Sequence, residues 1–313
     1  MELLEKLEPI LIFSAIILGL IFSDISFLKD NGSFLITLFL FLMLFGVFLE
    51  IPFNDLKNSF SNFKFTKTSI IINFLWTPLF GYFLGSIFLH NNLDIFIGFF
   101  MLILTPCTDW YLLFTKISKG DLPLSLSILP INLILQIILL PIYLILFFSS
   151  SNTLNLIDLG ISFLVIIIIP FALAQITKYL LKNNLENKFI SFFSNLQVFF
   201  LSLAIFAIFA SEGKALFDNL YSISSIFIPL MIFFIVTFII DFFVSRKINF
   251  TYKEYSSLTL TTLARNSPLA LAIAVNSFPN SELIVIALVI GPLIELPVLY
   301  LVSQILLKIK SFY

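Results

Sequence analysis

The sequence predicts an all-α polytopic membrane protein of ten transmembrane helices, arranged as a 5+5 inverted repeat with broken crossing helices 4 and 9. Three observations support this fold class: the composition, the spacing of the apolar segments and the alternation of positive charge. Hydrophobic residues make up 60% of the chain and charged residues 11%, which excludes an ordinary soluble domain.

Ten apolar segments follow one another along the chain, and each has the ~20 residues that a helix needs to cross a bilayer. The predicted spans are 9–27, 33–52, 68–89, 94–116, 122–149, 156–181, 188–210, 222–245, 255–278 and 281–307. The loops between them are short and polar, so none can hold a soluble domain. We therefore expect a single transmembrane unit over 1–313, with repeat 1 at about 1–150 and repeat 2 at about 151–313.

The positive charges test this division into spans independently. With the N-terminus in the cytoplasm, Arg265 lies within a span, and every other Lys and Arg falls on the cytoplasmic side except Lys29 and Lys214. This asymmetry follows the positive-inside rule, and a missed span would scramble it. We therefore expect a multi-pass protein of the plasma membrane, surrounded by the lipid bilayer, with both termini in the cytoplasm.

Short polar clusters interrupt the fourth and ninth spans. Residues 105–109 read Thr-Pro-Cys-Thr-Asp, and residues 265–268 read Arg-Asn-Ser-Pro. The prolines Pro106 and Pro268 each remove a backbone donor and clash with the preceding turn, so we expect both helices to break there. Unwound backbone in hydrocarbon is tolerated only where it lines a cavity or is buried in protein. A matched pair of interrupted spans is typical of the binding site of a secondary transporter.

The span after each break carries a polar side chain near its centre. These residues are Gln136 in the first half and Glu295 in the second, and Asn132 lies one turn before Gln136 on the same helical face. Each half therefore offers a broken span followed by a helix whose polar side chain points toward the break. An odd number of spans per half makes the two halves enter from opposite sides, as in an inverted repeat.

Polar residues around the breaks are the candidates for solute binding, since intramembrane ionisable residues are costly and usually functional. The expected binding residues are Cys107, Thr108, Asp109, Arg265, Asn266, Ser267 and Glu295. Thr105, Asn132 and Gln136 are expected to support them.

Several roles remain open at this stage. Arg265 keeps its charge and needs an anionic solute, a carbonyl cluster or a structural ion pair with Glu295 or Asp109. Asp109 either caps the second half of its own helix or faces the solute. Cys107 is either a small buried hydrophobe or, because it lies at the break, a thiol that is accessible from a cavity. Asp241 is placed near the cytoplasmic end of its span, away from the centre.

These residues give the chain a family resemblance. Pro-Cys-Thr at 106–108, Ala-Arg-Asn at 264–266 and Gly-Pro-Leu-Ile-Glu-Leu-Pro-Val at 291–298 resemble the bile acid/arsenite/riboflavin transporter superfamily, and within it the arsenite-efflux permeases. The resemblance implies that Cys107 and Glu295 occupy places that matter for transport in those permeases. It also implies a core of spans 3–5 and 8–10, a panel of spans 1, 2, 6 and 7, and arsenite export driven by proton exchange.

The chain departs from that family pattern at the breaks. Asp109-Trp110-Tyr111 follow the first break, where the permeases usually have small or aliphatic residues. The sodium-coupled bile acid branch has a Glu and a Gln where this chain has Thr261 and Arg265. A fixed cation in place of a sodium ligand favours H⁺ over Na⁺ as the coupling ion.

Two transport hypotheses follow, with one enzymatic alternative. The first is proton-coupled efflux of arsenite or a related metalloid oxyacid, and the second is transport of a small organic anion whose carboxylate binds Arg265. An intramembrane hydrolase using Asp109 with Asp241 or Glu295 is disfavoured, because Arg265 shields two of these carboxylates.

The chain has one cysteine, Cys107, and one histidine, His90, so the sequence predicts no metal site and no cofactor. Nothing in the sequence indicates a nucleic-acid partner.

Overall fold

The computed structural model describes residues 2–50, 62–107, 110–149, 156–181, 184–278 and 281–310, and these residues form helices and short connections without β-strands. The α-helices are α1 (Glu2–Ile21), α2 (Ser26–Asp30), α3 (Gly32–Glu50), α4 (Phe63–Ile71), α5 (Thr77–Phe88), α6 (Leu93–Leu104), α7 (Trp110–Ile117), α8 (Leu122–Phe148), α9 (Leu156–Phe163), α10 (Ile169–Leu180), α11 (Asn184–Asp218), α12 (Leu220–Ser224), α13 (Phe227–Lys247), α14 (Tyr252–Leu263), α15 (Ser267–Ser277) and α16 (Glu282–Ile309). Two π-helical turns, π1 (Ile72–Trp76) and π2 (Leu164–Ile168), connect α4 to α5 and α9 to α10.

Helix length and composition confirm a polytopic α-helical membrane protein. Among the described residues, seven helices are long and apolar enough to cross a membrane: Gly32–Glu50, Phe63–Phe88, Leu122–Phe148, Gly160–Leu180, Lys188–Ser211, Phe227–Lys247 and Glu282–Ile309. Three shorter apolar helices, Ile10–Ile21, Leu93–Leu104 and Ser267–Ser277, overlap the first, fourth and ninth predicted spans. The count of ten spans and the inverted repeat stay predictions.

Large apolar side chains point away from the protein along these helices. Phe83, Leu146 and Phe243 are each more than half exposed, with exposed fractions of 55%, 68% and 66%. Extensive exposed apolar surface is unstable in water, whereas hydrocarbon solvates it. The lipid bilayer is therefore the environment that this surface fits.

The chain separates into two compact units. The first contains residues 1–51, 151–220 and 271–286, and the second contains 52–150, 221–270 and 287–313. In the first unit, α11 packs along both α1 and α3. Gly19 and Gly46 permit this close packing, because a Cβ at either would approach Phe209 or Gln197 on α11 to within 3.0 Å. The predicted division into core and panel spans stays a prediction.

In the second unit, glycines bring α5 and α6 together. Gly81 and Gly85 lie one turn apart on α5, as in the small-xxx-small pattern of packed membrane helices. A Cβ at Gly81 would lie 2.0 Å from Ile103, and a Cβ at Gly85 would lie 1.9 Å from the ring of Phe96. The α5–α6 contact therefore holds the helix that leads into the first break.

Each π-helical turn lies just before a proline. Pro78 has no N–H and would clash with the carbonyl four residues earlier in a regular α-helix. That carbonyl belongs to Phe74, inside π1, and it accepts a hydrogen bond from the hydroxyl of Tyr143. Pro170 follows π2 in the same way. The π-turns thus accommodate prolines within long spans.

A group of hydrogen bonds ties three helices together at one end of the second unit. Thr251 and Glu254 form a capping box at the start of α14, and the amide of Asn62 before α4 donates to Glu254 over 2.9 Å. The hydroxyls of Ser118, after α7, and Ser256, on α14, lie 2.6 Å apart. These contacts fix the start of α14, the helix that leads into the second break.

Candidate transport site

Two helices of the second unit end opposite each other. The first is α6, whose last residue is followed by Thr105 with an extended backbone (φ −100°, ψ 101°). The second is α14, which is followed by Ala264, also extended (φ −71°, ψ 138°). Each end lies next to one of the clusters that the sequence analysis identified. The two extended segments pair with each other.

This pairing is a short antiparallel bridge in which Pro106 lies opposite Arg265. The N–H of Asn266 donates to the carbonyl of Thr105 (2.6 Å), and the N–H of Cys107 donates to the carbonyl of Ala264 (2.9 Å). The unwound backbone of each segment is therefore satisfied by the other. Buried backbone polar groups are costly unless paired in this way.

The geometry of the bridge explains why a proline is tolerated there. Pro106 and Arg265 form the pair that exchanges no ladder hydrogen bonds, so the missing N–H of Pro106 costs nothing. For the same reason the N–H of Arg265 is available to another acceptor. It donates to Oε1 of Glu295 over 2.8 Å, and so connects the second break to α16.

Asn266 begins the helix that follows the second break. Its Oδ1 accepts the N–H of Leu269 (3.2 Å), which satisfies one of the unpaired donors at the start of α15. Its carbonyl accepts the hydroxyl of Thr105 (3.0 Å). Ser267 and Pro268 occupy the first turn of α15, where a proline loses no helical hydrogen bond.

The guanidinium of Arg265 is buried, and two protein groups contact it. Its Nη1 donates to the carbonyl of Ile103 (2.9 Å), and its Cζ lies 4.9 Å from the ring centroid of Phe233. Among the described residues, its Nε and Nη2 atoms have no hydrogen-bond partner. A carbonyl and an aromatic face therefore stabilise the cation. The N–H groups on Nε and Nη2 can still donate to another group.

Glu295 reaches the second break from α16. It lies between Pro292 and Pro297, and both prolines are inside the helix. Its side chain is buried, and it accepts its hydrogen bond from the backbone N–H of Arg265. The glutamate thus sits beside the arginine without forming the side-chain ion pair that was one of the open alternatives.

Asp241 is a buried carboxylate that sequence reasoning placed at the periphery. Its side chain is completely buried on α13, the helix that also carries Phe233. Oδ2 accepts the hydroxyl of Thr262 over 2.6 Å, while Oδ1 has no partner among the described residues. Thr262 lies one turn before Arg265, so this hydrogen bond links Asp241 to the second break, but no local sequence pattern connects Asp241 to Thr262.

Asn132 and Gln136 are buried on one face of α8, as expected from their spacing. Among the described residues, none of their amide nitrogen and oxygen atoms has a hydrogen-bond partner. The helix that carries them packs against α14. Two unsatisfied buried amides on a helix beside the second break have hydrogen-bonding capacity that a solute or water can use.

Cys107 and its neighbours complete the first break. Cys107 is only 5% exposed, so this structure shows no open access to the thiol from a cavity. Its location beside Ala264 puts it at the bridge, one residue from Pro106. Thr108 and Asp109 lie outside the described residues.

Comparison with known proteins identifies the family. Residues 37–219 match the model of the Sodium Bile acid symporter family, which is more than half of the chain. The chain belongs to this family. The matched residues include the first break and end before the second. The family resemblance predicted from the sequence is therefore confirmed.

Individual relatives of this symporter-family chain are distant but span most of its length. The arsenical-resistance protein Acr3 of Corynebacterium glutamicum is 24% identical over 281 residues, covering 84% of this chain and 75% of that protein. Acr3 of Alkaliphilus metalliredigens is 23% identical over 294 residues, covering 89% and 82%. An uncharacterised transporter of Synechocystis sp. is 24% identical over 308 residues, covering 90% and 80%.

Family membership and the helices together define the broad class. The chain is a multi-pass membrane transporter of a small solute, and its family is one of transporters, not of enzymes.

Proposed function

We propose that the protein is a proton-coupled exporter of arsenite or a related metalloid oxyacid. In this proposal the ten spans form a 5+5 inverted repeat in the plasma membrane, and the solute binds between broken helices 4 and 9. One observation carries the proposal: the bridge between residues 105–107 and 264–266 gathers a thiol residue, a permanent cation and a carboxylate at one buried place. Two relatives named for arsenical resistance support the choice of solute.

The chemistry at Cys107 suits a carrier. Arsenite at neutral pH is the uncharged As(OH)₃, and a thiol can replace one hydroxyl to form an As–S bond. The thiol proton leaves with that hydroxyl as water, so the exchange is balanced and reversible. Because the chain has one cysteine, capture by three thiolates is impossible and the solute can be released. Asn266, Thr108 and Glu295 supply hydrogen bonds to the remaining hydroxyls.

Arg265 and Glu295 provide the basis for proton coupling in this proposal. Arginine keeps its charge in proteins, so Glu295 beside it can exist ionised or protonated at a modest electrostatic cost. Proton uptake by Glu295 on one side of the membrane and release on the other couples solute movement to the proton gradient. The Thr261 and Arg265 substitutions noted above support H⁺ over Na⁺ in this role.

A second candidate is transport of a small organic anion. The unpartnered Nε and Nη2 atoms of Arg265 favour it, because a guanidinium binds a carboxylate through two parallel hydrogen bonds. The start of α15 adds backbone N–H donors. In this case Cys107 is incidental and forms no bond with the solute.

Resistance of a metalloid-sensitive host separates the two candidates. We expect the wild-type chain to restore growth on arsenite and Cys107→Ser to lose that effect at equal membrane abundance. Ser86→Ala is the matched control, because this exposed hydroxyl on α5 bonds only to its own helix at Phe83. Full resistance with Cys107→Ser, combined with carboxylate uptake that requires Arg265, would establish the organic-anion candidate instead.

A further inference from the structure

We propose that Asp241 is a second proton-carrying carboxylate of the transport site and shares one bound proton with Glu295 across the cation of Arg265. This inference rests on the proposed function for its role in coupling. The carboxylate pair itself does not depend on which solute is carried.

The balance of buried charge is the first argument. Among the described residues, the charged side chains that are buried are Asp241, Arg265 and Glu295. If both carboxylates were ionised, this group would carry a net negative charge inside a low-dielectric region, which is strongly unfavourable. One bound proton makes the group neutral. The group therefore holds one exchangeable proton for its single permanent cation.

The hydrogen bonds indicate which carboxylate holds that proton in this structure. Oε1 of Glu295 accepts the N–H of Arg265, and an N–H donor favours the ionised form. Oδ2 of Asp241 accepts the hydroxyl of Thr262, while Oδ1 has no partner in the described part of the chain. A proton on Oδ1 therefore breaks no existing hydrogen bond. In this state the proton resides on Asp241 and Glu295 is ionised.

The surroundings of Asp241 leave Arg265 as its main electrostatic partner. Helix α13 packs mainly against α14 and α5. The other titratable side chains on these two elements are Tyr82, Tyr252, Lys253, Glu254 and Tyr255. Arg265 lies just beyond the end of α14, three residues after Thr262, whose hydroxyl donates to Asp241. The charged groups on α13 itself, Arg246 and Lys247, lie at its exposed end.

A row of hydroxyls supplies a path for the proton. Thr237 and Ser245 lie four residues before and after Asp241, so all three occupy one face of α13. All three side chains are buried, and the hydroxyl oxygens of Thr237 and Ser245 have no partner among the described residues. The row runs from Thr237 through Asp241 to Ser245, and the helix ends two residues later at the exposed Lys247. Hydroxyls with unused hydrogen-bonding capacity can relay a proton, directly or through water.

Infrared absorption of protonated carboxyl groups tests the inference without any solute. The wild-type protein in liposomes is expected to show a buried carboxyl band that titrates with pH. Asp241→Asn is expected to remove it, because Glu295 then stays ionised beside Arg265. Glu282→Gln, at the exposed start of α16, is the control and keeps the band. An unchanged band in Asp241→Asn overturns the proposal.

A second variant covers the case in which Asp241→Asn fails to fold. Thr262→Val removes the hydroxyl donated to Oδ2 but keeps both carboxylates. We expect the frequency of the band and its pH midpoint to shift, because the lost hydrogen bond is to Asp241. A band identical to that of the wild type overturns the assignment to Asp241.

Transport measurements separate this inference from the proposed function. If the wild type moves arsenite, a pH gradient is expected to accelerate transport by Asp241→Asn at least about tenfold less than transport by the wild type. This factor corresponds to a difference of ~1.4 kcal/mol. Acceleration equal to that of the wild type overturns the role of Asp241 in coupling. If the wild type moves no arsenite, the proposed solute is wrong, and the infrared result still decides whether the carboxylate pair exists.

Discussion

Arg265 illustrates how the protein keeps a permanent charge inside a membrane. Its guanidinium uses a main-chain carbonyl and the face of Phe233, and its backbone N–H holds Glu295. Two of its three nitrogens have no hydrogen-bond partner among the described residues. Buried unpaired donors are costly. In the proposed function, the solute supplies their acceptor.

Gln136 is a neutral side chain that shares this feature, a buried polar group without a hydrogen-bond partner among the described residues. Its buried amide has no partner among the described residues, which costs about 1–3 kcal/mol. We expect Gln136→Leu to leave thermal stability unchanged or to raise it, while transport falls at least about tenfold, or ~1.4 kcal/mol. Thermal unfolding and solute uptake, measured on the same preparation, test this.

Gln304→Leu is the control, because this half-buried glutamine lies on α16 outside the proposed site and should change neither quantity. A clear loss of stability in Gln136→Leu with normal transport would show that the amide is a structural residue.

At the scale of elements, the close contact of α5 with α6 positions the first break. The ring of Phe96 is packed against Tyr82 and Phe148, at centroid distances of 5.4 and 5.0 Å. We expect Gly85→Ala to destabilise the protein by about 1–3 kcal/mol, because the ring cannot easily move away from a new Cβ. The melting temperature of the detergent-solubilised protein measures this.

The matched control is Gly160→Ala, since a Cβ at Gly160 meets no atom within 4 Å. It should melt at the wild-type temperature or slightly above it, because alanine favours the helix. Equal melting temperatures for both variants would mean that α5 and α6 are not in close contact.

The capping box at the start of α14 predicts a pH dependence. Burial raises the pKa of Glu254, but hydrogen bonds from Thr251 and Asn62 and the charge of Lys64 outweigh it, so the pKa is lowered. A lowered folded pKa stabilises the protein above the unfolded value of about 4.3, and this stabilisation is lost as the pH falls through the folded pKa.

Glu254→Gln should therefore lower the melting temperature at neutral pH, and the difference from the wild type should shrink on acidification through the range below pH 4.3. Melting curves at several pH values measure it. A difference that is constant over this range would contradict the ionic role of Glu254.

At the scale of the whole molecule, sequence reasoning reached the class and the family but not the contacts. Composition and segment length were sufficient to predict a polytopic helical membrane protein, and the two interrupted spans indicated a transporter. Pro106 lies two residues after the end of α6, whereas Pro268 lies in the first turn of α15, five residues after the end of α14. The antiparallel bridge joins segments far apart in the sequence, and no local pattern encodes such pairing. The hydrogen bond of Asp241 to Thr262 is equally non-local, so Asp241 was placed at the periphery.

The predicted orientation is open to a direct test. In a Cys107→Ser background, Lys29→Cys and Lys119→Cys each provide one new thiol at an exposed position. The positive-inside distribution predicts that a membrane-impermeant thiol reagent labels Lys29→Cys in intact cells and labels Lys119→Cys only after permeabilisation. Labelling of both in intact cells would require a different set of spans.

Arsenite flux in proteoliposomes under an imposed pH gradient, without sodium, tests the central claim most directly. The account predicts that the gradient drives flux through the wild-type protein, and that Cys107→Ser and Glu295→Gln reduce it to the level of empty liposomes. Equal flux through the wild type and Cys107→Ser, or flux that responds only to a sodium gradient, would contradict it.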